Sequence, residues 1–249
     1  MVAGLAAHGV SATVHHSHNS VSSDVVACWG WRNGQLHKAK GRRVLVMERG
    51  YLGDRHQWSS IGWDGLNNRA TFGPQRDTGQ RFEENFGGLM LPWSPGGEFV
   101  LLIGQVPGDA ALGGRCLRGW YAQQAERAAK KYRLPARFRQ HPLAIRRVGP
   151  MRVVGAESIG GDLAENIHRA ALVVTFNSNT GVESILAGKP TVAMDKGSMA
   201  TGVALTDLPD SLDTPEPNRK AWAHRLAWRQ FTIDEIASGL AWECVKDVG

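Results

Sequence analysis

The segment 172–197, LVVTFNSNTGVESILAGKPTVAMDKG, constrains the fold of this chain more than any other. Its first five residues form a β-prone apolar run without polar alternation, as expected for a strand buried on both faces of a parallel sheet. A polar turn, a short helical stretch, a Gly-Lys-Pro stop and a second apolar run follow. The segment therefore predicts a strand–helix–strand unit of an α/β protein.

Small hydrogen-bonding side chains crowd the turn before the predicted helix. They are Asn177, Ser178, Asn179 and Thr180. Free N–H groups and the positive end of the dipole at a helix start attract anions, above all phosphate. We therefore predict that Ser178, Asn179 and Thr180 bind a diphosphate and that Glu183 accepts hydrogen bonds from ribose hydroxyls. In the alternative interpretation, Thr180 and Glu183 form a capping box that serves only the helix.

The string SNTGVESILAGKPTVAMD resembles the nucleotide-sugar-binding segment of GT-B glycosyltransferases, especially capsule-polysaccharide-type transferases and bacteriophage glycosyltransferases. Further matches are Trp29-Gly30, ERGYLGDR at 48–55, the His141-Pro142 pair and the segment 226–242. The resemblance implies two Rossmann-like domains that face a cleft, with C-terminal helices that pack back on the N-terminal domain. It also implies a nucleotide-sugar co-substrate, for which we favour a UDP-sugar.

The predicted organisation has three parts. Residues 1–112 form an acceptor-binding domain, residues 113–215 a nucleotide-sugar-binding domain, and residues 216–249 the returning helices. The boundary is placed at the glycine-rich stretch 108–116, which suits a hinge. Strands are expected at 12–15, 25–28, 43–47, 99–103 and 137–140. The stretch 48–95 is expected to be a long functional loop.

Candidate catalytic residues follow from what glycosyl transfer requires. Glu48 comes directly after the strand predicted at 43–47, at a carboxyl end, where open α/β sheets bind ligands. Glu48 and Asp54 are therefore the candidate bases for the acceptor hydroxyl. His141 is the candidate donor to the leaving phosphate. The alternatives are ion pairing of the two acids with neighbouring arginines, and a simple turn role for His141.

The remaining site predictions concern the two substrates. Asp195 follows the second apolar run and is predicted to line the donor pocket. Acceptor binding is predicted for two aromatic and two basic residues near the first strand ends: Trp29, Arg49, Arg55 and Trp58. Tryptophan offers a flat face on which sugars or bases stack, and arginine pairs with anionic groups.

Neither a metal nor a cofactor is predicted. No DxD motif stands beside a strand end, which fits leaving-group stabilisation without a metal. The histidines His15, His16 and His18 have no carboxylate or cysteine nearby in sequence, so we expect a solvated turn. Three scattered cysteines indicate a reducing compartment, the cytoplasm. No apolar run approaches the ~20 residues of a membrane span.

The charge balance bears on the acceptor. A net charge of +6, a pI of about 9.5 and nine tryptophans favour anionic partners. Together with the resemblance to bacteriophage proteins, they predict DNA with hydroxymethylated pyrimidines as a candidate acceptor, reached by base flipping. Two alternatives stay open. One is a saccharide-directed transferase or UDP-sugar 2-epimerase of the same fold, and the other is a non-catalytic nucleic-acid-binding protein.

Overall fold

A computed structural model describes residues 1–17 and 21–248. The first part of the chain contains α1 (Val2–Ala6), β1 (Val25–Trp29), α2 (Trp31–Lys38), β2 (Arg43–Arg49), β3 (Trp58–Trp63) and α3 (Gln80–Phe86). The middle part contains β4 (Phe99–Ile103), α4 (Arg118–Tyr132), β5 (Ala136–Arg139), α5 (Pro142–Val148), β6 (Glu157–Ser158), α6 (Leu163–Arg169), β7 (Ala170–Thr175), α7 (Thr180–Leu186) and β8 (Thr191–Ala193). The last part contains α8 (Arg219–Ala227), β9 (Gln230–Thr232), α9 (Ile233–Ser238) and α10 (Leu240–Val245).

The chain divides into two compact units. The first unit comprises Met1–Gly87 and Lys220–Gly249, and the second comprises Gly88–Arg219. The predicted boundary at residue 112 assigned β4 to the first domain, but β4 is hydrogen-bonded between β5 and β7 of the second unit. Because β4 pairs with strands of the second unit on both of its sides, the boundary between the units lies between residues 87 and 88. The substrate roles of the two units stay predictions.

The sheet of the second unit is wholly parallel, in the order β6-β5-β4-β7-β8. Numbered within the unit, this is the order 3-2-1-4-5 of a doubly wound α/β sheet. The direction of winding reverses between β4 and β7, so the crevice at a topological switch point lies beyond their carboxyl ends. The predicted parallel α/β architecture is confirmed for this unit.

Both faces of that sheet are covered, which accounts for the absence of polar alternation. Leu101 and Val173 pack on one side with Ile167 of α6. Leu102 and Val174 pack on the other side, where α4 contributes its buried face. Since side chains of a strand alternate between faces, an apolar residue at every position is what two covered faces require.

The sheet of the first unit is mixed, in the order β1-β2-β3-β9. β1 and β2 are parallel, whereas β3 is antiparallel to both β2 and β9. Two predictions are thus wrong here: the stretch 48–95 contains β3 and α3, and residues 12–15 are irregular. The serines and glycine of β3 weaken the strand signal of its tryptophans and isoleucine, and pairing with β2 on one side and β9 on the other forms the strand.

The C-terminal segment completes the first unit. Phe231 of β9 and Ile236 of α9 pack with Ile61 and Trp63 of β3 in one buried cluster. This agrees with the expectation that the final helices pack on the N-terminal domain.

Arg81 of α3 fastens the same segment to the first part of the chain. It is 8% exposed and donates from Nη1 and Nη2 to the Glu235 carboxylate at 2.6 and 2.8 Å. Its Nε and Nη2 also donate to the carbonyls of Ala227 and Gln230, at 2.9 Å each. One guanidinium thereby satisfies acceptors from α8, β9 and α9 together.

Candidate functional site

Three polar residues meet at the switch point of the second unit. Gln105 follows β4, Asn177 follows β7 and Asp195 follows β8. The Gln105 side chain donates to Asn177 Oδ1 at 2.7 Å and accepts from the Asn177 backbone N–H at 3.0 Å. Asn177 Nδ2 donates to Asp195 Oδ1 at 3.1 Å and to the carbonyl of Ala111 at 2.9 Å. The network fixes the floor of the crevice in one arrangement.

Asp195, which follows β8, anchors that network. It is 8% exposed, and its Oδ1 also accepts the Gly197 N–H at 2.8 Å. The exposed Arg115 brings a guanidinium to 3.7 Å from Asp195 Oδ2 and lies over the ring of Phe176. Asp195 thus lies at the carboxyl edge of the sheet, and its contact with a donor stays a prediction. Gln105 and Arg115 were not predicted, although Gln105 carries the same signal as Asp195, a polar residue two positions beyond a buried strand.

The turn before α7 differs in detail from the prediction. The capping box is absent, because Ser178, not Thr180, supplies the hydroxyl: Ser178 Oγ accepts the Thr180 N–H at 3.2 Å. The Ser178 N–H donates to Thr175 Oγ1 and the Gly181 N–H to the Ser178 carbonyl. These amide groups are engaged within the turn. A phosphate would therefore meet mainly the side chains of Ser178 and Asn179.

The rim of the turn is more accessible than its floor. Ser178, Asn179 and Glu183 are half-buried, whereas Thr180 is 8% exposed. Asn179 Nδ2 donates to Glu183 Oε1 at 3.2 Å, one turn apart on the same face of α7. Glu183 thus stands at the rim with a carboxylate oriented by a neighbouring amide, the arrangement that the ribose-binding prediction requires.

His141 begins α5, on the same carboxyl edge of the sheet. It is exposed, and its Nδ1 accepts the Leu143 N–H at 3.0 Å as the N-cap of the helix. A neutral ring in that role carries its proton on Nε2. The N-cap hydrogen bond is the turn role that the alternative interpretation gave to His141. The phosphate-binding role needs a hydrogen-bond donor, which the Nε2–H of the same neutral ring would provide.

In the first unit, Glu48 lies within β2 and not beyond it. Its Oε1 accepts the N–H of Trp31, the first residue of α2, at 3.0 Å. Burial and the Glu48 carboxylate together raise the pKa of Cys28 to about 11, so this thiol is not a nucleophile at neutral pH. Glu48 therefore stabilises the start of α2 whatever else it does.

Glu48 also lines a small, open pocket with Tyr51, Ser60 and Asn67. Burial raises the pKa of Tyr51 to about 12, despite the lowering effects of its Ser60 hydrogen bond and the charge of Arg229. The phenol is consequently a neutral hydrogen-bonding group at physiological pH. Glu48 and Tyr51 thus line this small pocket with a carboxylate and a hydroxyl.

The loop after β2 holds the other predicted polar residues. Asp54 is exposed and its Oδ1 accepts the His56 N–H at 2.8 Å. Arg55 donates from Nε to the Gly50 carbonyl at 2.9 Å, and Arg49 contacts His56 Nδ1 at 2.8 Å. The two arginines therefore brace this loop, and the solvent-facing Asp54 is the more accessible of the two candidate bases.

The tryptophan predictions divide. Trp29, at the carboxyl end of β1, is 49% exposed and can offer a stacking face. Trp58 is 8% exposed, with its ring packed against Phe86 at 4.8 Å and beneath the Arg81 guanidinium. Little of the ring is left for the predicted contact with an acceptor, because the ring is packed in the core. Trp63 is likewise 3% exposed, which weakens the argument from exposed tryptophans.

Neither a metal cluster nor a membrane helix is found in residues 1–17 and 21–248. No three His, Cys, Asp or Glu side chains there converge as metal ligands would. No helix of the same residues combines the length and apolar character needed to cross a bilayer. His18, one of the three clustered histidines, lies outside the described residues.

The sequence matches no protein-family model and no curated protein. The fold is similar to that of two solved structures from Thermosulfurimonas dismutans. "KpsC, beta Kdo 2,4 transferase" is 16% identical with a TM-score of 0.58, over 87% of this chain and 86% of that chain. "KpsC, beta Kdo 2,7 transferase" is 14% identical with a TM-score of 0.54, over 88% and 85%. The resemblance to capsule-polysaccharide-type glycosyltransferases is confirmed at the level of the fold.

Proposed function

We propose that this protein is a glycosyltransferase that moves a sugar from a nucleotide-activated donor to an acceptor hydroxyl. The observation that carries the proposal is the extent of the fold likeness, 87% and 88% of the chain against two transferases. Neither compact unit amounts to that share, so the likeness spans both. A single Rossmann-like unit would be compatible with many activities, whereas both units together narrow the choice.

The donor is assigned to the switch point of the second unit. The Gln105–Asn177–Asp195 network supports a rigid floor, and Ser178 and Asn179 supply hydrogen-bond donors to the phosphate oxygens. Glu183 accepts from the ribose hydroxyls. Stabilising the charge that develops on the leaving phosphate is the main demand of the reaction, and fixed dipoles meet it without reorganisation. UDP is the nucleotide we favour.

The acceptor is assigned to the first unit, with a carboxylate as base. Asp54 is solvent-facing, whereas Glu48 lines a pocket and already holds a helix N–H. Asn substitution of Asp54 and Gln substitution of Glu48 remove the basic oxygen while preserving shape. We expect substitution of the true base to lower kcat and to leave the KM for the donor unchanged.

The acceptor class has two candidates. The fold likeness to capsule-polysaccharide-type transferases supports a saccharide hydroxyl. The basic charge of the chain supports DNA carrying hydroxymethylated pyrimidines, but the burial of Trp58 and Trp63 removes part of that argument. Both acceptors therefore belong in the assay.

The deciding experiment begins with melting temperature in the presence of uridine, guanosine and cytidine mono- and diphosphates. We expect one nucleotide to raise the melting temperature, because ligand binding stabilises the folded state. Transfer from the matching sugar nucleotide is then measured on saccharides and on hydroxymethylated DNA. Free sugar released without an acceptor would indicate the epimerase instead. DNA binding with a steep salt dependence and no response to any nucleotide would refute the transferase proposal.

Metal independence is a further part of the proposal. The carboxyl edge of the second unit offers hydroxyl, amide and guanidinium groups to the leaving phosphate, so a divalent cation is not needed to balance its charge. We expect transfer to proceed at an unchanged rate with EDTA and to show no gain with Mg²⁺. A rate that falls with EDTA and returns with Mg²⁺ would contradict this.

A further inference from the structure

The stretch 127–156 contains nine Lys and Arg residues and no Asp or Glu. Arg127 pairs with Asp207, Lys131 with Asp210 and, at 3.9 Å, Arg137 with Glu157. Within the part of the chain that the structure describes, the other six form no salt bridge: Lys130, Arg133, Arg139, Arg146, Arg147 and Arg152. The second unit therefore carries a concentrated positive charge that its own acids do not neutralise.

Exposed aliphatic side chains stand among these charges. Ile145 is 45% exposed, Val148 62% and Val154 83%. Ile145 and Val148 are three residues apart on α5, so they are neighbours on its surface. α5 buries only Ala144 among its seven residues. Its sequence is thus more apolar than its packing in the unit requires.

The surface is held in a fixed shape. Gln140 donates from Nε2 to the Gly149 carbonyl at 2.9 Å and accepts the Met151 N–H at 2.7 Å through Oε1. The side chain of Met151 packs against the core of the second unit. These contacts clamp the loop after α5 to the end of β5. The exposed valines and isoleucine are consequently displayed from an ordered scaffold.

We propose that α5 and the loop after it, residues 142–154, dock this protein on an anionic lipid bilayer. Arg146, Arg147 and Arg152 would meet the lipid headgroups, and Ile145, Val148 and Val154 would enter the boundary between headgroups and acyl chains. Basic residues with interspersed aliphatic ones are the combination that interfacial segments use. Nucleic acid would use the arginines but gives an aliphatic side chain no apolar environment beside its phosphates.

The test is flotation of the full chain with vesicles of phosphatidylcholine alone or with one third phosphatidylglycerol. We expect flotation only with the anionic vesicles, and less at high salt. Two double variants separate the contributions: Arg146→Ser/Arg147→Ser and Ile145→Ser/Val148→Ser. Each is expected to lower vesicle binding about tenfold or more, through lost headgroup attraction in the first and lost apolar insertion in the second.

The control variant Lys40→Ser/Arg225→Ser removes two exposed charges from the first unit and should bind vesicles like the wild type. Circular dichroism and melting temperatures are measured for every variant to check that it is folded. Equal loss in the control, or unchanged binding in the Ile145→Ser/Val148→Ser variant, would overturn the proposal. So would wild-type protein that ignores anionic vesicles but binds DNA through Arg146 and Arg147.

Discussion

Asn177 has the most demanding position among the polar residues of the candidate site. It is 3% exposed, its Oδ1 accepts from Gln105, and its Nδ2 donates to the Ala111 carbonyl and to Asp195. Buried polar networks of this kind stabilise only when every member is satisfied. Asn177 therefore fixes how β4, β7 and β8 present their ends to a ligand.

We expect Asn177→Asp to lower the free energy of unfolding by about 2–4 kcal/mol at neutral pH. The new carboxylate would face Asp195 Oδ1 and the Ala111 carbonyl, two acceptors, in place of a donor. Repulsion raises the pKa of such a pair, so the deficit should shrink as the pH falls towards about 5. Urea unfolding at several pH values measures this. Gln123→Glu adds the same charge at an exposed site of α4 and should have little effect.

A second residue prediction concerns Glu183 and rests on the proposed function. We expect Glu183→Ala to weaken nucleotide binding by roughly 1–3 kcal/mol, because the ribose hydroxyls lose their acceptor. Glu183→Gln keeps an oxygen for Asn179 and should lose less. Titration calorimetry with the nucleotide that raises the melting temperature measures the affinity of the wild type and of both variants. Unchanged affinity with reduced stability would assign Glu183 a purely structural role in α7.

Among the elements, α3 and α9 depend on one ion pair. Burial raises the pKa of Glu235, but hydrogen bonds from Arg81 and the Thr232 N–H and the charge of Arg81 outweigh it, so the pKa falls below its usual value. A lowered folded-state pKa gives stability that is present above the unfolded value, about 4.3, and is lost as the pH falls through the folded one.

We therefore expect wild-type stability to decline below about pH 5 more steeply than that of Glu235→Gln. Arg81→Met should cost about 3–5 kcal/mol at neutral pH, because it removes the cation that faces the partly buried Glu235 carboxylate and the donors to two carbonyls. Denaturant unfolding across the pH range tests both. Parallel pH curves for wild type and Glu235→Gln would show that the pair contributes no pH dependence.

The elements also show what the sequence can predict. The buried strands and α4 were foreseeable, because continuous apolar runs and helical spacing report local burial. β3 and β9 were not, because they pair with each other across most of the chain, the serines and glycine of β3 dilute its strand signal, and β9 has only three residues. At the site, Asp195 was predicted from its place after a strand. Gln105 was overlooked, and the burial of Trp58 depends on α3, a helix the sequence did not indicate.

For the whole molecule, the two units differ in continuity. The second unit is one uninterrupted segment, whereas the first requires residues from both ends of the described chain. We expect the fragment 88–219 to unfold cooperatively by itself and to retain the nucleotide-induced rise in melting temperature. The fragment 1–87 should stay unfolded, because it lacks the β9–α10 segment that covers Ile61 and Trp63. A folded 1–87 fragment would contradict this account of the first unit.

That discontinuity has a consequence during synthesis on the ribosome. The first 87 residues emerge before the segment that completes their sheet has been translated. At about 5–20 residues per second, they wait on the order of 10 s, while the middle of the chain is made and can already fold. Leu45, Ile61 and Trp63 are uncovered throughout that interval. The nascent chain is thus a natural client for chaperones that hold apolar segments, and the unit that starts first is the last to be finished.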